Sequence, residues 1–385
     1  MWKTVAGSTG RLIQLCMGYF VSYVMTGVLV KYFTVLRQPK MTDMAYLFNN
    51  TLGGSLTALS VVFLLGWIHL KSNRVVRWGP FSVPSEIVYI VPSGICTAIV
   101  IPTTTLMYTL PISVMVAMVI MRGSIIVISR LVDEVQIRQG ILTKRVFAEE
   151  NWAVMFALLA VATNVLLIPV AELLDRSGVG ASRLLGLPQG AAKGSFDFLH
   201  SSAAMTIMGL YIVAYTIRIY IMNYFKNTRG KGVPLDNQGF FAVEQIAASV
   251  TMALLIAFFA LSPSLLGWTD VRVVEFSGAV ARPDLGAVLS GVPYGAVAFF
   301  SVFIFMFKGR TATFAGLVNR LTSLLAGTTA TLLLFFLFKM KFPSLQDWVS
   351  VAFILVAVYF LGRAEDLRVR ELQRTRELEL VAAAS

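Results

Sequence analysis

The sequence predicts an all-α integral membrane protein with ten transmembrane helices in two inverted five-helix repeats. Of its 385 residues, 57% are hydrophobic and only 14% are charged, whereas about 25% of the residues in a soluble domain are charged. The charges are also segregated, and they leave apolar runs of about 20 residues, long enough to cross a hydrocarbon core of about 30 Å. A large soluble core would need charges within these runs every turn or two, so the pattern excludes it.

Ten apolar segments have the length of a span, and together they divide the chain into two halves. They cover 12–33, 45–70, 84–106, 110–132, 151–170, 201–225, 239–262, 285–307, 311–338 and 345–363. The first repeat is 1–170 and the second is 201–363. Between them, the glycine-rich connection 171–200 predicts an irregular extracytoplasmic loop with a short helix around 182–187. The charged segment 364–385 predicts a cytoplasmic helix that extends the last span.

The duplication is predicted from three landmarks that recur in the same order in both halves. Each half has a Val-Pro-x-Gly tetrapeptide in its third span, an arginine in its fourth span and a tryptophan that opens its fifth span. The landmarks are 91–94, Arg122 and Trp152 in the first half, and 292–295, Arg320 and Trp348 in the second. Since each unit has an odd number of spans, the second copy must insert upside down, as in transporters built from inverted repeats.

Basic residues predict which face of the membrane each loop occupies. Most lysines and arginines of the loops and tails fall on the side of the N-terminus, which favours cytoplasmic positions for both termini. The net charge of +12 therefore indicates orientation and contact with anionic lipid head groups, and we expect no nucleic-acid partner. The first apolar segment is too long for a signal peptide, which predicts an uncleaved helix. The lack of targeting signals and the two cysteines fit a bacterial inner (plasma) membrane.

The fourth and fifth spans resemble those of a known transporter superfamily. Their sequences, MVIMRGSIIVISRLVDEV and ENWAVMFALLAVATNVLL, are similar to the drug/metabolite transporter (EamA-like) superfamily, and more closely to its nucleotide-sugar and triose-phosphate branch. The ninth and tenth spans look like the same pair in the second repeat. The GVLVKYF end of the first span and the glutamate of GFFAVEQIAAS, Glu244, also resemble features of that branch. The resemblance implies ten helices, inverted repeats, a central cavity and alternating access, and it implies no particular substrate.

Two arginines deep inside spans are the first candidates for a binding site. Arg122 and Arg320 lie too far from the ends of their spans for the guanidinium groups to reach the head groups comfortably. An arginine near the middle of a bilayer costs from a few to more than about ten kcal/mol unless it faces water or a partner. One interpretation is that both cations line a cavity and bind a carboxylate or phosphate bidentately. The alternative is a buried ion pair or helix-end hydrogen bond that holds the two repeats together.

Three further charged residues within the spans are candidates. Glu244 lies near the start of the seventh span. It is a candidate gate partner for Arg122 or Arg320, a proton-coupling carboxylate, or an interfacial residue favoured by the helix N-terminus. Arg218 lies nearer the cytoplasmic end of the sixth span, so its depth favours snorkelling to the head groups over a gating role. Depth also favours snorkelling for Lys31, but the resemblance to a lysine-bearing helix end implies a place in the cavity.

The two Val-Pro-x-Gly tetrapeptides predict interrupted helices, one at Pro92 with Gly94 and one at Pro293 with Gly295. Corresponding breaks in two halves are typical of a transporter binding site, and a simple kink that shapes packing is the alternative. Tyr294, at the second break, is a candidate to stack on a ligand or to hydrogen-bond it.

Two asparagines complete the set of candidate binding residues. Asn49 in the second span and Asn319 beside Arg320 are candidates to bond substrate hydroxyl groups. Helix-to-helix hydrogen bonds are the alternative for both.

These features predict a secondary transporter that moves a small anionic or phosphorylated organic solute by alternating access. The sign of the substrate's charge follows from the excess of cationic over acidic side chains within the spans. Two alternatives stay open, a flippase for lipid-linked head groups and a membrane assembly protein with no solute path. The expected partners are the solute and membrane lipids, and the sequence leaves a homodimer open.

Enzyme signals are weak. The sequence has no nucleophile elbow, no His-Glu-x-x-His motif and no phosphate-binding glycine loop, so we expect no catalytic residue, metal or cofactor. Asp197 and His200, at the entry to the sixth span, are explained by helix-start chemistry.

Overall fold

The computed structural model describes residues 7–78, 81–109, 114–178, 180, 202–230, 232–340, 342–343 and 345–384. Within these ranges the chain is almost entirely α-helical, and its only sheet is one two-stranded antiparallel hairpin. The prediction of an all-α fold is therefore confirmed.

The helices follow the chain in the order of the predicted spans. They are α1 (Thr9–Lys31), α2 (Asp43–Leu64), α3 (Ile87–Thr109), α4 (Val114–Arg138), α5 (Ala148–Arg176), α6 (Ser202–Asn227), α7 (Asn237–Leu266), α8 (Val271–Ala281), α9 (Leu285–Leu289), α10 (Gly291–Phe305), α11 (Ala312–Phe338) and α12 (Leu345–Ala384). A π-helical turn, Tyr32–Leu36, extends α1. The hairpin strands β1 (Val75–Trp78) and β2 (Phe81–Pro84) precede α3.

Polar residues fix where several helices begin. The side chains of Ser8, Thr42 and Thr311 accept backbone N–H hydrogen bonds in the first turns of α1, α2 and α11. Asp236 and Asp284 do the same for α7 and α9. These caps satisfy amide groups that have no partner within the helix.

Eight helical segments of the described ranges are long and apolar enough to cross a membrane. They contain α1, α2, α3, α6, α7, α9 with α10, α11 and α12. The chain is therefore an all-α, multi-pass integral membrane protein. Helices α4 and α5, of 25 and 29 residues, occupy the positions of the predicted fourth and fifth spans. The count of ten spans and the cytoplasmic placement of both termini remain predictions.

The helices of the two halves are interleaved in one bundle. Helix α3 packs against α6 and α7, and α10 packs against α1 and α2. Helix α1 also packs against α11, α4 against both α6 and α11, and α5 against α12. Each of these pairs joins a helix of the first half to a helix of the second, so the core lies between the halves.

Helices α5 and α12 form a seam held by stacked rings and a buried ion pair. Phe156 stacks on Phe360 with ring centroids 5.6 Å apart, and Trp152 stacks on the same Phe360 at 6.1 Å. In the charged part of α12, Arg368 donates to Glu150 of α5 at 3.2 Å, and both side chains are almost fully buried. The seam therefore continues from the apolar part of α12 into its charged extension.

The predicted helix break at Pro92 and Gly94 is wrong, because α3 is helical throughout its length. A Cβ atom added at Gly94 would lie 2.6 Å from the carbonyl oxygen of Glu244 in α7. The glycine therefore permits close packing of two helices. Proline is tolerated in a membrane helix when neighbouring groups satisfy the freed backbone carbonyl.

Near the second tetrapeptide, the helix interruption lies at Ser290, between α9 and α10 and three residues before the predicted break at Pro293. Pro293 falls in the first turn of α10, where a proline removes no helical hydrogen bond. Gly295 lies against α2, since a Cβ atom there would be 2.7 Å from the carbonyl oxygen of Gly54. Close packing is thus the role of both tetrapeptide glycines.

Several elements depart from the predicted boundaries. The hairpin and the short helix α8 lie where the sequence predicts plain connections, and α5 continues to Arg176, which takes the start of the predicted loop 171–200 into the helix. The predicted helix around 182–187, together with Asp197 and His200, lies outside the described residues.

We expect Gly94→Ala to lower the melting temperature of the purified protein in detergent. The new Cβ would meet backbone atoms of Glu244 and Ala248 at 2.6 and 3.0 Å, and overpacking of this kind costs about 1–3 kcal/mol. Gly209→Ala in α6 is the matched control, because nothing lies within 4 Å of its added Cβ. Equal melting temperatures for the two variants would contradict the close packing of α3 on α7.

Candidate functional site

Arg320 of α11 is the buried cation around which the candidate site is built. Its Nη2 donates to the hydroxyl of Tyr215 at 2.9 Å, and its guanidinium carbon lies 5.2 Å from the centre of the same ring. Tyr215 thus offers the cation a hydrogen-bond acceptor and the negative face of its π system. The Nε of Arg320 is buried and has no hydrogen-bond partner among the described residues.

Arg122 of α4 lies beside the same helix. A Cβ atom added at Gly327 of α11 would be 3.8 Å from both terminal nitrogens of Arg122, so the absent side chain leaves room for the guanidinium group. Tyr19 of α1 lies close enough to Arg122 and Arg320 to interact electrostatically with both. The structure therefore brings the two sequence-predicted arginines to a common neighbour.

Neither arginine is neutralised by a carboxylate of the described residues. In the part of the chain that the structure describes, no Asp or Glu side chain forms an ion pair with Arg122 or Arg320. A guanidinium group stays protonated in proteins. The site therefore holds two positive charges without a counter-charge from the described part of the chain.

Tyrosines from two helices flank these charges. Tyr19 and Tyr23 of α1 lie with ring centroids 5.6 Å apart, and Tyr211 and Tyr215 of α6 with centroids 5.0 Å apart. Within each pair the residues are four positions apart, which places them on one face of their helix. The four rings give the site apolar surface and hydroxyl groups together.

Arg218 and Glu244 form a buried bidentate ion pair between α6 and α7. The Nε and Nη2 of Arg218 donate to the two carboxylate oxygens at 2.9 and 3.1 Å, and the side chains are 5% and 0% exposed. Ser93 and Thr97 of α3 donate to the same carboxylate at 2.6 and 3.4 Å. Snorkelling of Arg218 and an interfacial place for Glu244 are therefore wrong, because each charge finds its partner inside the bundle. The arginine that Glu244 pairs with in the structure is Arg218, and not Arg122 or Arg320 as the sequence predicts.

Tyr215 connects this ion pair to Arg320. Its hydroxyl lies within electrostatic range of Arg218, Glu244 and Arg320. A change of charge at Glu244 would therefore act directly on Arg218 and, through one tyrosine, on Arg320.

The two candidate asparagines hold helices together. Asn319 is fully buried, accepts from the Tyr19 hydroxyl at 3.3 Å and donates to the Ser301 hydroxyl at 3.0 Å, which ties α11 to α1 and α10. Asn49 accepts from the backbone N–H of Asp284 at 2.9 Å, which ties α2 to the start of α9. In this structure both asparagines therefore form hydrogen bonds between helices, which is the alternative to binding substrate hydroxyl groups.

The contacts of Lys31 and Tyr294 that the structure describes lie away from Arg320. Lys31 is exposed in the last turn of α1, about 18 Å of helix rise beyond Tyr19. Tyr294 is half-buried in α10, and its ring lies against Gly54 of α2.

Sequence reasoning does not single out the four tyrosines, although a signal is present. The first helix of each half carries the same residues, and the second set comes 192 positions after the first (211 − 19 = 192). Tyr19, Val21, Tyr23, Tyr32, Phe33 and Arg37 recur as Tyr211, Val213, Tyr215, Tyr224, Phe225 and Arg229. An ungapped alignment of α1 with α6 therefore identifies the tyrosines as counterparts.

A separate apolar pocket of about 220 Å³ lies between α2, α3 and α7. The amphipathic helix α8 borders it with Val273 and Phe276. Among its lining residues, the polar side chains are Thr51 and, at the start of α8, Asp270 and Arg272. Such a lining suits a hydrocarbon group.

Comparisons with known proteins bear on the fold alone. No family model and no curated protein matches the chain. Fifteen chains of solved structures match it. One is a crystal structure described only as that of a protein, and the match covers 94% of this chain and 99% of that chain, at 16% identity and a TM-score of 0.51. Fold and composition together define a multi-pass α-helical membrane protein.

We expect Glu244→Leu to destabilise the purified protein strongly, by about 3–5 kcal/mol, because it leaves Arg218 buried without a counter-charge. Combining it with Arg218→Leu should recover much of that loss, since the double variant removes both charges. Thermal unfolding in detergent measures both effects. Losses that simply add in the double variant would show that the two side chains act independently.

Proposed function

We propose that the protein is a secondary transporter of the drug/metabolite type that moves a small anionic organic solute by alternating access. The observation that supports this is the pair Arg122 and Arg320, two guanidinium groups inside the helical bundle with no carboxylate partner among the described residues. A cation within a bilayer is costly without a counter-ion. A bound anion would therefore stabilise this site more than a neutral or cationic ligand.

The chemistry of the donors favours a carboxylate or a phosphate. Arg320 has a buried Nε with no partner in the described chain, and guanidinium groups bind both anion types with charge-assisted, often bidentate hydrogen bonds. The neighbouring tyrosines supply rings and hydroxyl groups for the organic part of the solute. We assign the site no catalytic role.

The proposal includes two inverted repeats, 1–170 and 201–363, and helix packing supports them. In the proposed repeat, α1 to α5 correspond to α6, α7, α10, α11 and α12. Helix α3 packs on α6 and α7, and its counterpart α10 packs on α1 and α2, which are the counterparts of α6 and α7. The same contact therefore occurs in both repeats. The contact between α1 and α11 likewise corresponds to the contact between their counterparts, α6 and α4. The recurrence of the tyrosine pattern in α1 and α6 supports the same duplication.

Glu244 is the proposed coupling group. In its charged form it accepts hydrogen bonds from the Nε and the Nη2 of Arg218. Protonation would weaken that pair and free a third guanidinium group beside Tyr215, so proton binding and anion binding would favour each other.

A flippase for lipid-linked head groups is the second candidate, and the apolar pocket beside α8 supports it. A lipid chain in that pocket would accompany a head group held by the arginines. A membrane assembly protein with no solute path is less well supported. Such a role predicts ion pairs at the centre, as at Arg218 and Glu244, and not two arginines without a carboxylate partner among the described residues.

Ligand screening by thermal shift tests the proposal. We expect inorganic phosphate, a hexose phosphate or succinate to stabilise the purified protein, and neutral sugars and choline to have no effect. Arg320→Ala and Arg122→Ala should each weaken anion binding about tenfold or more, because each removes a charge-assisted hydrogen bond worth about 1.5–3 kcal/mol.

Arg130→Ala is the matched control for these variants. Arg130 lies on the same helix as Arg122 and bonds Asn151 and Glu134 at 3.2 and 3.5 Å, so its loss should leave anion affinity unchanged. Preference for cations, or unaltered anion affinity in both site variants with normal folding, would overturn the proposal. Stabilisation only by long-chain phosphorylated lipids would favour the flippase.

A further inference from the structure

Two ion pairs join the halves of the chain at opposite ends of α2. Near its start, the Nη1 of Arg37 pairs with the Oδ2 of Asp284 at 2.8 Å. Beyond its end, the Nη1 of Arg229 pairs with the Oε1 of Glu86 at 2.9 Å. Helix α2 has 22 residues, which corresponds to about 33 Å of rise between the two ends. We call these pairs the Arg37–Asp284 latch and the Arg229–Glu86 latch.

The two latches are built in the same way. In each, the arginine follows the first helix of one half. Glu86 immediately precedes α3, and Asp284 immediately precedes α9, the short helix that leads into α10, the counterpart of α3. Each guanidinium group lies over the phenylalanine four positions earlier, Arg37 over Phe33 at 5.4 Å and Arg229 over Phe225 at 4.6 Å. Both arginines belong to the Tyr-Phe-x-x-x-Arg motif that recurs in α1 and α6. Duplication with inversion accounts for one such latch at each end.

Further hydrogen bonds close the bundle around the Arg37–Asp284 latch. The backbone N–H of Asp284 donates to the Asn49 side chain at 2.9 Å, and the Asn50 side chain donates to the Ser290 carbonyl at 3.1 Å. These bonds hold the start of α2 against α9.

The Arg229–Glu86 latch has a corresponding set. The Asn73 side chain donates to the Thr228 carbonyl at 2.9 Å and accepts from the Gly230 backbone N–H at 3.0 Å. Arg229 also donates to the Lys71 carbonyl. The connection after α2 is thereby held to the connection after α6.

The latches differ in burial. The side chains of Arg37 and Asp284 are 34% and 27% exposed, whereas those of Arg229 and Glu86 are 8% and 1% exposed. Separating the buried pair leaves two desolvated charges, so it is the harder one to break.

Both latch carboxylates favour the ionised form. Burial raises the pKa of Glu86, but hydrogen bonds from the Asn73 backbone and the Ser72 hydroxyl, together with Arg229, bring it below its usual value. For Asp284, the hydrogen bond from a backbone N–H of α9, and then the bond from Arg37, lower the pKa despite some burial. Both pairs are therefore charged at neutral pH.

We propose that the two latches are the gates of the alternating-access cycle, one at each face of the membrane, and that the molecule opens at one face by breaking only the latch there. This inference rests on the proposed function. Both latches are closed in the structure, which corresponds to an occluded state. The difference in burial makes the Arg37–Asp284 end the one that opens more readily.

Sided cysteine labelling tests the proposal without knowledge of the substrate. The reporter is Gly327→Cys, beside Arg122, in a background with Cys16→Ser and Cys96→Ser, since nothing closer than 3.8 Å opposes its Cβ. A membrane-impermeant maleimide is added to vesicles of either orientation, and the rate of modification is measured. Asp284→Asn and Glu86→Gln are the test variants, because each keeps the size and the hydrogen-bond acceptor of the carboxylate.

We expect Asp284→Asn to raise labelling about fivefold from the Arg37 face alone, the scale of one partly exposed pair. Glu86→Gln should raise it more than about tenfold from the opposite face alone, since its pair is buried. Exchange of the charges, Arg37→Asp with Asp284→Arg, should restore the slow rate. Glu134→Gln is the control, because its partners Arg130 and Arg138 lie on its own helix.

Unchanged labelling in both test variants, or equal acceleration from both faces, would overturn the gate proposal. A lower melting temperature with unchanged sidedness would show a purely structural role. Anion binding in the thermal-shift assay stays a separate measurement. If the latch variants do not change the labelling but anions still bind, the gate proposal is refuted and the proposed substrate class stands. If the latch variants change labelling from one face but no anion binds, the proposed substrate class is refuted and the gate proposal stands.

Discussion

A guanidinium group inside an apolar bundle must find a partner, and this molecule meets that requirement in different ways. Arg218 has a carboxylate that accepts hydrogen bonds from its Nε and its Nη2. Among the described residues, Arg320 has a tyrosine as its hydrogen-bond partner, which accepts one hydrogen bond and offers a ring face. Arg122 has space beside a glycine. The first solution neutralises the cation with a carboxylate, whereas the other two leave donors available for an anion.

Close helix contacts make these solutions geometrically feasible. Gly94 lets α3 approach the backbone of α7, and the neighbouring Ser93 thereby reaches the carboxylate of Glu244 at 2.6 Å. Gly53 of α2 allows a close approach to α9, and Gly291 of α10 allows the same approach to α2, since added Cβ atoms would overlap backbone atoms of the facing helix. Small residues thus set the distance at which buried polar groups can pair.

The helices were predictable because segregated apolar runs of span length rarely form anything but membrane-crossing helices. Arg122 and Arg320 were conspicuous for the same reason, since a charge stands out in an apolar run. The partners were not predictable. Distance from a helix end suggested that Arg218 reaches the membrane surface, but burial depends on the neighbouring helices, and Glu244 lies on one of them.

Pro92 shows a second limit of sequence reasoning. A proline next to a glycine predicts a broken helix, yet α3 continues because its surroundings tolerate the missing N–H. The tyrosines of α1 and α6 are not predictable one by one, because a single tyrosine in a span gives no indication of a functional site. Only their recurrence at a constant offset in α1 and α6 distinguishes them. The hairpin and α8 are short, and short elements carry little periodic signal.

The seam between α5 and α12 constrains how the bundle can deform. Its stacked rings and the Arg368–Glu150 pair bind one helix from each half along most of their length. Helix α2 packs elsewhere, on α7 and α10. Any movement of one half relative to the other would therefore be a rotation about the contact between α5 and α12. Displacements would be small beside that contact and larger at α2, which packs away from it.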